Sequence, residues 1–355
     1  MDRATIEVYE ERGELWAGRR RPVRRSQALA FAGRVAPGTV RIDLGCGAGR
    51  YTAELGRPAI GLDASATMLA LCRRHVASVA LVQGDLEALP FASQSLHGGW
   101  ANMSYLHLAR LRLPLALADL HRVLVVGAPV DIQVLAGSYE GRALPDDDIG
   151  GRFFASWEPG SFDDIMVGAG FDVIDLEVDN EVVRVRAVRA RTLADTVGPG
   201  LRLLVVGLNP SLYAADAGVG YARPGNRFWP AALAAGLVTR DRDPAHALAA
   251  HRMGMTDVVK RATVGATELG RDEYRAGMAR VERLVRWIQP GAVCMVGLSG
   301  WRAAVDAGAR PGLQPQAFGG RPVYVMPSTS GANAHAQLPE LIEHLRAAVG
   351  AGGPR

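Results

Sequence analysis

Asn209, Tyr221, Asn226 and Trp229 are strung along one Gly/Pro-punctuated stretch, Gly207 to Trp229, reading GLNPSLYAADAGVGYARPGNRFW. The stretch leaves an apolar run, Leu203 to Val206, that reads as a buried strand. A loop of this length inside a compact domain ordinarily has a task, and amides beside aromatics at a strand exit suit a ligand that is planar and polar. A second set lies earlier in the chain. Asp43 is the penultimate residue of a strand-like TVRIDL, Thr39 to Leu44, which is followed by Gly45-Cys46-Gly47-Ala48-Gly49. Glycines there let the backbone turn sharply and approach a ligand closely where the next helix starts. A further strand, Ala59 to Leu62, ends in Asp63, at the spacing where a carboxylate accepts two ribose hydroxyls. Val79 to Gln83 then leads to Gly84-Asp85, which sets another carboxylate at the rim of the same pocket.

Two α/β domains can position these groups. In the first half the strands named above alternate with helices after a basic, helical lead-in. It closes on Gly170 to Glu177 and Glu181 to Val188, two strands joined by the turn Asp179-Asn180. Thr192 to Gly200, TLADTVGPG, reads as a short helix and turn, with no flexible tether, so the boundary is placed near residue 190, giving domains 1–190 and 191–355. In the second half strands at Leu203–Val206, Ala292–Val296 and Val323–Met326 alternate with helices near Pro230–Ala235, at Asp272–Ile288, from Gly300 and at Leu338–Val349. A mostly parallel sheet follows, with ligands expected outside the carboxyl ends of its strands. Two loops leave such ends with polar cargo, Asn209-Pro210-Ser211 and Pro327 to Asn333, PSTSGAN.

At 355 residues, 48% hydrophobic and 21% charged, the chain has room for two ordinary cores and the composition of a globular protein. No apolar run is long enough to cross a bilayer, and the basic N-terminal segment lacks the apolar core of a signal peptide, so a cytoplasmic protein with no membrane partner is expected. Cys46, Cys72 and Cys294 are far apart in sequence, which supports neither a disulfide framework nor a metal or iron–sulfur site. Charge is divided unevenly. Residues 201–355 carry 18 Arg and Lys against 11 Asp and Glu, while residues 1–200 are slightly acidic, which makes the second half the better candidate for nucleic acid.

The turn Asp43-Leu44-Gly45-Cys46-Gly47-Ala48-Gly49, with Asp63 and Asp85, resembles the class I S-adenosylmethionine-dependent methyltransferases over about Tyr9 to Ala190. The resemblance implies a Rossmann-like sheet and S-adenosyl-L-methionine as cofactor. Asp43, Gly45, Gly47 and Gly49 would face its methionine part, Asp63 would hold the ribose, and Asp85 would lie by the adenine amine. The pattern DxGxGxG differs from the dinucleotide fingerprint GxGxxG, which sets a nicotinamide enzyme second. Trp100 to Ser104, WANMS, is placed on the methyl-acceptor side. It lacks the signature of amino-group methylation of nucleic acid bases, and the acceptor stays open. Cys46 and Cys72 are read as packing residues.

In the second half GLNPS, YARPGNRFW, GMTDVVKRAT from Gly254 and MPSTSGAN from Met326 resemble the mismatch-specific uracil/thymine DNA glycosylases of the uracil-DNA glycosylase superfamily, over about Thr192 to Val349. The resemblance implies an α/β/α domain acting on double-stranded DNA that carries a mismatched or damaged base, without a cofactor. An N-glycosidic bond is cut by extruding the base, holding it flat and placing a water. Asn209 fits the water-holding role, because a carboxamide orients water but takes no proton at neutral pH. Tyr221 would stack on the base, backbone N–H groups of Leu208 and Tyr221 would hold a pyrimidine oxygen, and Asn226 would tie the loop. Phe228 and Trp229 read as core. Ser328, Thr329 and Ser330 would hold flanking phosphates, with Ala332 at the wedge position and Asn333 or the backbone filling the gap. Asp257 stands where relatives carry Asn or Lys near the base; it either accepts from the N3–H of uracil or helps hold the water, or it caps a turn and faces solvent. Lys260 and Arg261 are read as phosphate contacts or solvated charges, and His335 as a surface or DNA-backbone residue. No lysine sits in the Asn209 or Ser328 loops, so hydrolysis without a Schiff-base step is expected. A second reading makes methyl transfer the main activity, with the second domain as a nucleic-acid-binding module.

Overall fold

Strands covered on both faces need nearly continuous apolar sequence, and two such groups of strands organise this chain. The computed structural model describes residues 1–355 other than 77, 146, 180, 334, 335, 354 and 355. His335, and Asn180 of the expected turn, therefore lie outside the described residues. The chain divides into two compact units, Met1–Val167 with Phe171–Ala190, and Gly168–Gly170 with Arg191–Arg355. Both are α/β with mostly parallel sheets, the class that the strand and helix pattern implies.

In the first unit helices α1 (Arg3–Arg19) and α2 (Arg25–Ala32) precede strands β1 (Arg41–Leu44) and β2 (Ala59–Asp63). Helix α3 (Ala66–His75), strands β3 (Ala80–Gln83) and β4 (Gly99–Asn102), helix α4 (Leu113–Val123) and strand β5 (Pro129–Ala136) follow. Short β6 (Glu140–Gly141), β7 (Phe154–Trp157), helix α5 (Pro159–Gly168) and the antiparallel pair β8 (Phe171–Asp179) and β9 (Val182–Arg189) complete it. The sheet runs β3-β2-β1-β4-β5-β7-β6, with β9 also pairing antiparallel to β5. Chain direction through the sheet reverses between β1 and β4, and ligands of such sheets sit outside the carboxyl ends at this switch point.

In the second unit strands β10 (Leu203–Gly207), β11 (Met253–Asp257), β12 (Ala292–Val296) and β14 (Val323–Met326) are parallel. Short β13 (Gly312–Leu313) adds an antiparallel edge, in the order β11-β10-β12-β14-β13. Helices α6 (Leu212–Ala217), α7 (Phe228–Ala234), α8 (Pro244–His251), α9 (Arg271–Ile288), α10 (Leu298–Ala304) and α11 (Leu338–Gly350) pack around it. Phe228 and Trp229 are fully buried in a core shared with Leu203, Val205 and Cys294.

Three local expectations change. Thr192 to Gly200 forms no helix, although the expected turn is present at Pro199-Gly200; between them Thr196 exchanges two backbone hydrogen bonds of 2.9 Å with Met255 at the sheet edge. The stretch after β10 is not structureless, because Ser211 caps α6, accepting from the Ala214 N–H, and Gly218 ends it in the left-handed region. Strand β11 and helix α8 are additions; Met-Gly-Met-Thr-Asp carries no alternation and a strand-weakening glycine, and tertiary pairing with β10 decides its state. Among the described residues no helix is long and apolar enough to cross a membrane, and no cluster of His, Cys, Asp or Glu could hold a metal ion.

Candidate functional site

Each unit carries polar groups at its strand exits. In the first, a cavity of about 580 Å³ opens at the β1/β4 switch point, and its walls include Asp43, Gly45, Gly47, Asp63 and the β4 exit. Gly45 has φ +71°, and a Cβ there would stand 2.4 Å from the Ser104 Cβ, so only glycine lets the turn pass the β4 exit. Asp63 accepts from Gly47 N–H and Ser65 N–H at 2.9 Å each, which fixes its carboxyl across the glycine turn. Asp43 is buried and accepts from the Thr52 hydroxyl at 2.6 Å. Burial pushes Asp43 up to about 7 and Asp63 up to about 6; their hydrogen bonds pull the other way.

Asp85 and Gly49 lie off the cavity wall. Asp85 accepts from the Met1 nitrogen at 2.5 Å, and Gly49 backs onto Cys72. Trp100 and Ala101 are core residues rather than lining, because β4 is interior and Trp100 packs against Phe31 and Tyr51; only Asn102, Met103 and Ser104 of that segment reach the cavity. Cys46, Cys72 and Cys294 are free and buried.

Sequence reading did not single out the cavity's other wall. The His107 Nδ1 lies 2.7 Å from the Phe153 carbonyl, so that nitrogen carries the proton and Nε2 accepts from the Tyr9 hydroxyl at 2.9 Å. Arg152 donates to the same hydroxyl at 2.9 Å and pairs with Asp147. Burial above all drives His107 down to about 4, which keeps the ring neutral. The Asn102 Oδ1 and Ser104 Oγ on the cavity wall are buried without a partner among the described residues, an arrangement that a bound polar ligand would satisfy. The glycine turn, the fixed Asp63 carboxyl and these two atoms fit S-adenosylmethionine.

In the second unit the exits of β10 and β11 lie side by side, Gly207 opposite Asp257. Asn209 donates through Nδ2 to Thr263 Oγ1 at 2.8 Å, Arg261 O at 3.0 Å and Pro210 O at 3.1 Å. The nitrogen is thereby tied to protein and Oδ1 remains an acceptor for water. Among the described residues no backbone acceptor takes the N–H of Leu208 or Tyr221. Tyr221 adopts φ +58°, unusual for a bulky residue. It is held there by stacking on Phe228, centroids 4.2 Å apart and planes 21° apart, while Trp229 Nε1 donates to Gly220 O at 2.8 Å.

The Ser328 loop is anchored by Arg227 of the YARPGNRFW stretch. Arg227 donates to Ser330 O at 2.8 Å, Asn333 O at 2.6 Å and Ala336 O at 2.5 Å, and its N–H to Thr329 O at 2.9 Å. Thr329 is buried, Ser330 and Ala332 are exposed, and the Asn333 amide turns back to Ser328 O at 2.8 Å rather than outward. Asn226 ties its own loop, accepting from Phe228 N–H at 2.9 Å.

Lys260 is not a free phosphate contact. Its side chain is 10% exposed and its Nζ lies 2.8 Å from Asp195 Oδ1, because the Thr192–Val197 segment brings a buried carboxylate beneath it. Asp195 also takes Arg280 Nη1 at 2.9 Å and the Thr256 hydroxyl at 2.6 Å. Arg261 is paired with Glu273 at 2.8 Å. The signals missed were Asp195 in TLAD, Thr263 in KRAT and Arg227 in GNRFW, each a polar residue whose partner is distant in sequence.

Residues 42–127 match the family model of a methyltransferase domain, and residues 194–349 that of the uracil DNA glycosylase superfamily. The chain therefore carries both domains. Among solved structures it is similar to the putative methyltransferase bound to the Haloferax volcanii Trm112 activator, at 17% identity over 53% of this chain and 97% of that one, TM-score 0.44. A possible histamine N-methyltransferase from Thermotoga maritima matches at 16% over 52% and 99%, TM-score 0.43. An S-adenosylmethionine-dependent methyltransferase from Mesorhizobium loti matches at 19% over 46% and 96%, TM-score 0.40.

Proposed function

We propose that the second unit is a DNA glycosylase that hydrolyses the N-glycosidic bond of uracil, and of thymine or damaged pyrimidines, mispaired with guanine. The observation that carries this reading is Asn209: three protein acceptors hold its amide nitrogen, leaving Oδ1 to orient the attacking water at the β10 exit. Leu208 and Tyr221 N–H groups are offered to a base oxygen, the Tyr221 ring to the base face, and the Ser328 and Ser330 hydroxyls to flanking phosphates, the Thr329 side chain being buried. Asn209 takes no proton, so the chemistry is slow and depends on an already weakened pair. The test is release of U, T and oxidised pyrimidines from G mismatches by the full chain, read by heat-alkali cleavage of the abasic strand. An intact G·U strand after prolonged incubation rejects the reading.

The first unit is proposed to bind S-adenosylmethionine, which supplies an electrophilic methyl group. Asp63 would accept from its ribose hydroxyls, with Asp43, Gly45 and Gly47 along the methionine part. Tyr9, His107 and Arg152 form the wall available to the methyl acceptor. A carboxyl accepts from both hydroxyls only when ionised, and Asp63 ionises near 6. Affinity measured by calorimetry is therefore expected to rise between pH 5 and pH 7.5. Asp63→Ala should lose about 10- to 100-fold in affinity, a charge-assisted hydrogen bond being worth about 1.5–3 kcal/mol, together with that pH dependence. Without ligand the sign for stability is opposite: carboxyls held above their ordinary value bind protons more tightly folded than unfolded, so Asp43 and Asp63 weaken the unit as pH rises from about 4 to about 7.

A further inference from the structure

Asp257 ends β11 beside Gly207, its register partner on β10, two residues before Asn209. Its carboxyl lies over the Gly207 backbone: a Cβ on that glycine would stand 2.2 Å from Asp257 Oδ1 and 3.0 Å from the Tyr221 hydroxyl. Both groups therefore share the floor of the strand-exit site. The Tyr221 hydroxyl is buried and has no hydrogen-bond partner among the described residues. Among the described residues no hydrogen bond or ion pair reaches the Asp257 carboxyl.

The neighbouring cations are already committed. Lys260 Nζ and Arg280 Nη1 both bind Asp195, at 2.8 and 2.9 Å. Arg280 Nη2 donates to Thr256 Oγ1 at 3.0 Å and to the backbone oxygen of Asp257 at 2.8 Å, not to its carboxyl, and among the described residues the buried Nε meets no acceptor. Two cations thus answer one carboxylate, and among the described residues none pairs with the Asp257 carboxyl. The other titratable groups in this surrounding are Tyr221, on the segment after α6, and Cys294 on β12, whose thiol is pushed up to about 12 by burial. Burial favours the uncharged form of Asp257 and lifts it to about 6; Lys260 and Arg280 pull down from a distance and Asp195 pushes up.

A uracil or thymine edge presents the N3–H donor beside the O4 acceptor. A carboxylate offers acceptors only, so it can satisfy N3–H while setting its charge against O4. A carboxylic acid offers a carbonyl oxygen and an O–H together and matches both. Resting on the glycosylase reading above, we propose that Asp257 reads the extruded pyrimidine as a neutral acid, accepting from N3–H and donating to O4. The residue then sets base choice and makes excision strongest in mildly acidic solution.

The test compares the full-length protein with Asp257→Asn, whose amide presents the same acceptor and donor without titrating. Single-turnover uracil release from a G·U duplex is measured from pH 5.5 to 8. Affinity is measured over the same range for a duplex in which G faces 2′-fluoro-2′-deoxyuridine, which resists hydrolysis. Protonated Asp257 falls about tenfold per pH unit well above 6. The wild-type rate and its preference for the fluorinated duplex over a matched duplex should fall by about tenfold or more from pH 6 to pH 8, while Asp257→Asn stays level and overtakes wild type at pH 8. Active release with the same variant-to-wild-type ratio at pH 5.5 and 8 overturns the inference alone, as does a variant that unfolds at the wild-type temperature yet neither cuts nor prefers the fluorinated duplex. If neither protein releases uracil or prefers that duplex at any pH, the glycosylase reading falls and takes the inference with it.

Discussion

Asn209→Ala is expected to slow uracil release from a G·U duplex by about 10²-fold or more, the lower end of what positioned proton-transfer and water-orienting groups contribute. The loss should appear in the single-turnover rate, with DNA affinity nearly unchanged, because the groups proposed to hold base and phosphate lie elsewhere. Equal rates for variant and wild type would remove Asn209 from the reaction. The more informative partner is Asn209→Asp. A carboxylate is intrinsically the better promoter of water attack, yet Nδ2 here donates to the Arg261 and Pro210 carbonyls. An Asp would set an oxygen against both of these acceptors. The gain in basicity is therefore opposed by lost hydrogen bonds and repulsion, and we expect Asn209→Asp to gain no activity and to unfold at a lower temperature.

Asp195→Ala is expected to destabilise the second unit by about 3–5 kcal/mol, the cost of leaving buried charges without their partner. Asp195 is 3% exposed and is the shared acceptor of Lys260, Arg280 and Thr256. Burial works against its charge, but Arg280 and Lys260 hold its carboxyl below the ordinary value. A depressed carboxyl contributes stability that is present above its unfolded pKa, near 3.8, and is lost as pH falls below it. Urea unfolding of the full chain at pH 7 and pH 3.5 checks both points: the gap between variant and wild type should be wide at pH 7 and narrower at pH 3.5. A gap below about 1 kcal/mol at pH 7, the range of a surface pair, would mean that the network does not work as a unit.

What the sequence made legible follows from the range of the interactions concerned. Strands such as Leu203–Val206 and Ala292–Val296 announce themselves because burial on both faces demands apolar runs. The glycine turn, Asp63 and the GLNPS exit are local patterns whose residue types are dictated by backbone geometry. Strand β11 was not legible, since Gly254 and Thr256 gain their conformation from β10 and Thr196 rather than from propensity. The same holds for side-chain roles. Lys260 looks like a phosphate contact until Asp195, 65 residues earlier, is found beneath it. Arg227 reads as an ordinary loop cation until its three carbonyl partners, 103 to 109 residues later, are in place. Asp257 could be assigned to base or solvent only by knowing which cations near it were spoken for.

Arg227 has a mechanical consequence. It belongs to the loop that carries Tyr221, and its guanidinium grips the Ser330, Asn333 and Ala336 carbonyls of the Ser328 loop. Gly331 also packs against the Gly225 carbonyl, leaving no room for a side chain between the two. The two loops cannot shift independently, so the jaw proposed for the base and the jaw proposed for its phosphate form a caliper of set span. Nucleotides would be sorted by the distance from base to backbone before any edge of the base is read. A base presented on a lengthened or inverted sugar linkage should be turned away even when its hydrogen-bonding face is correct.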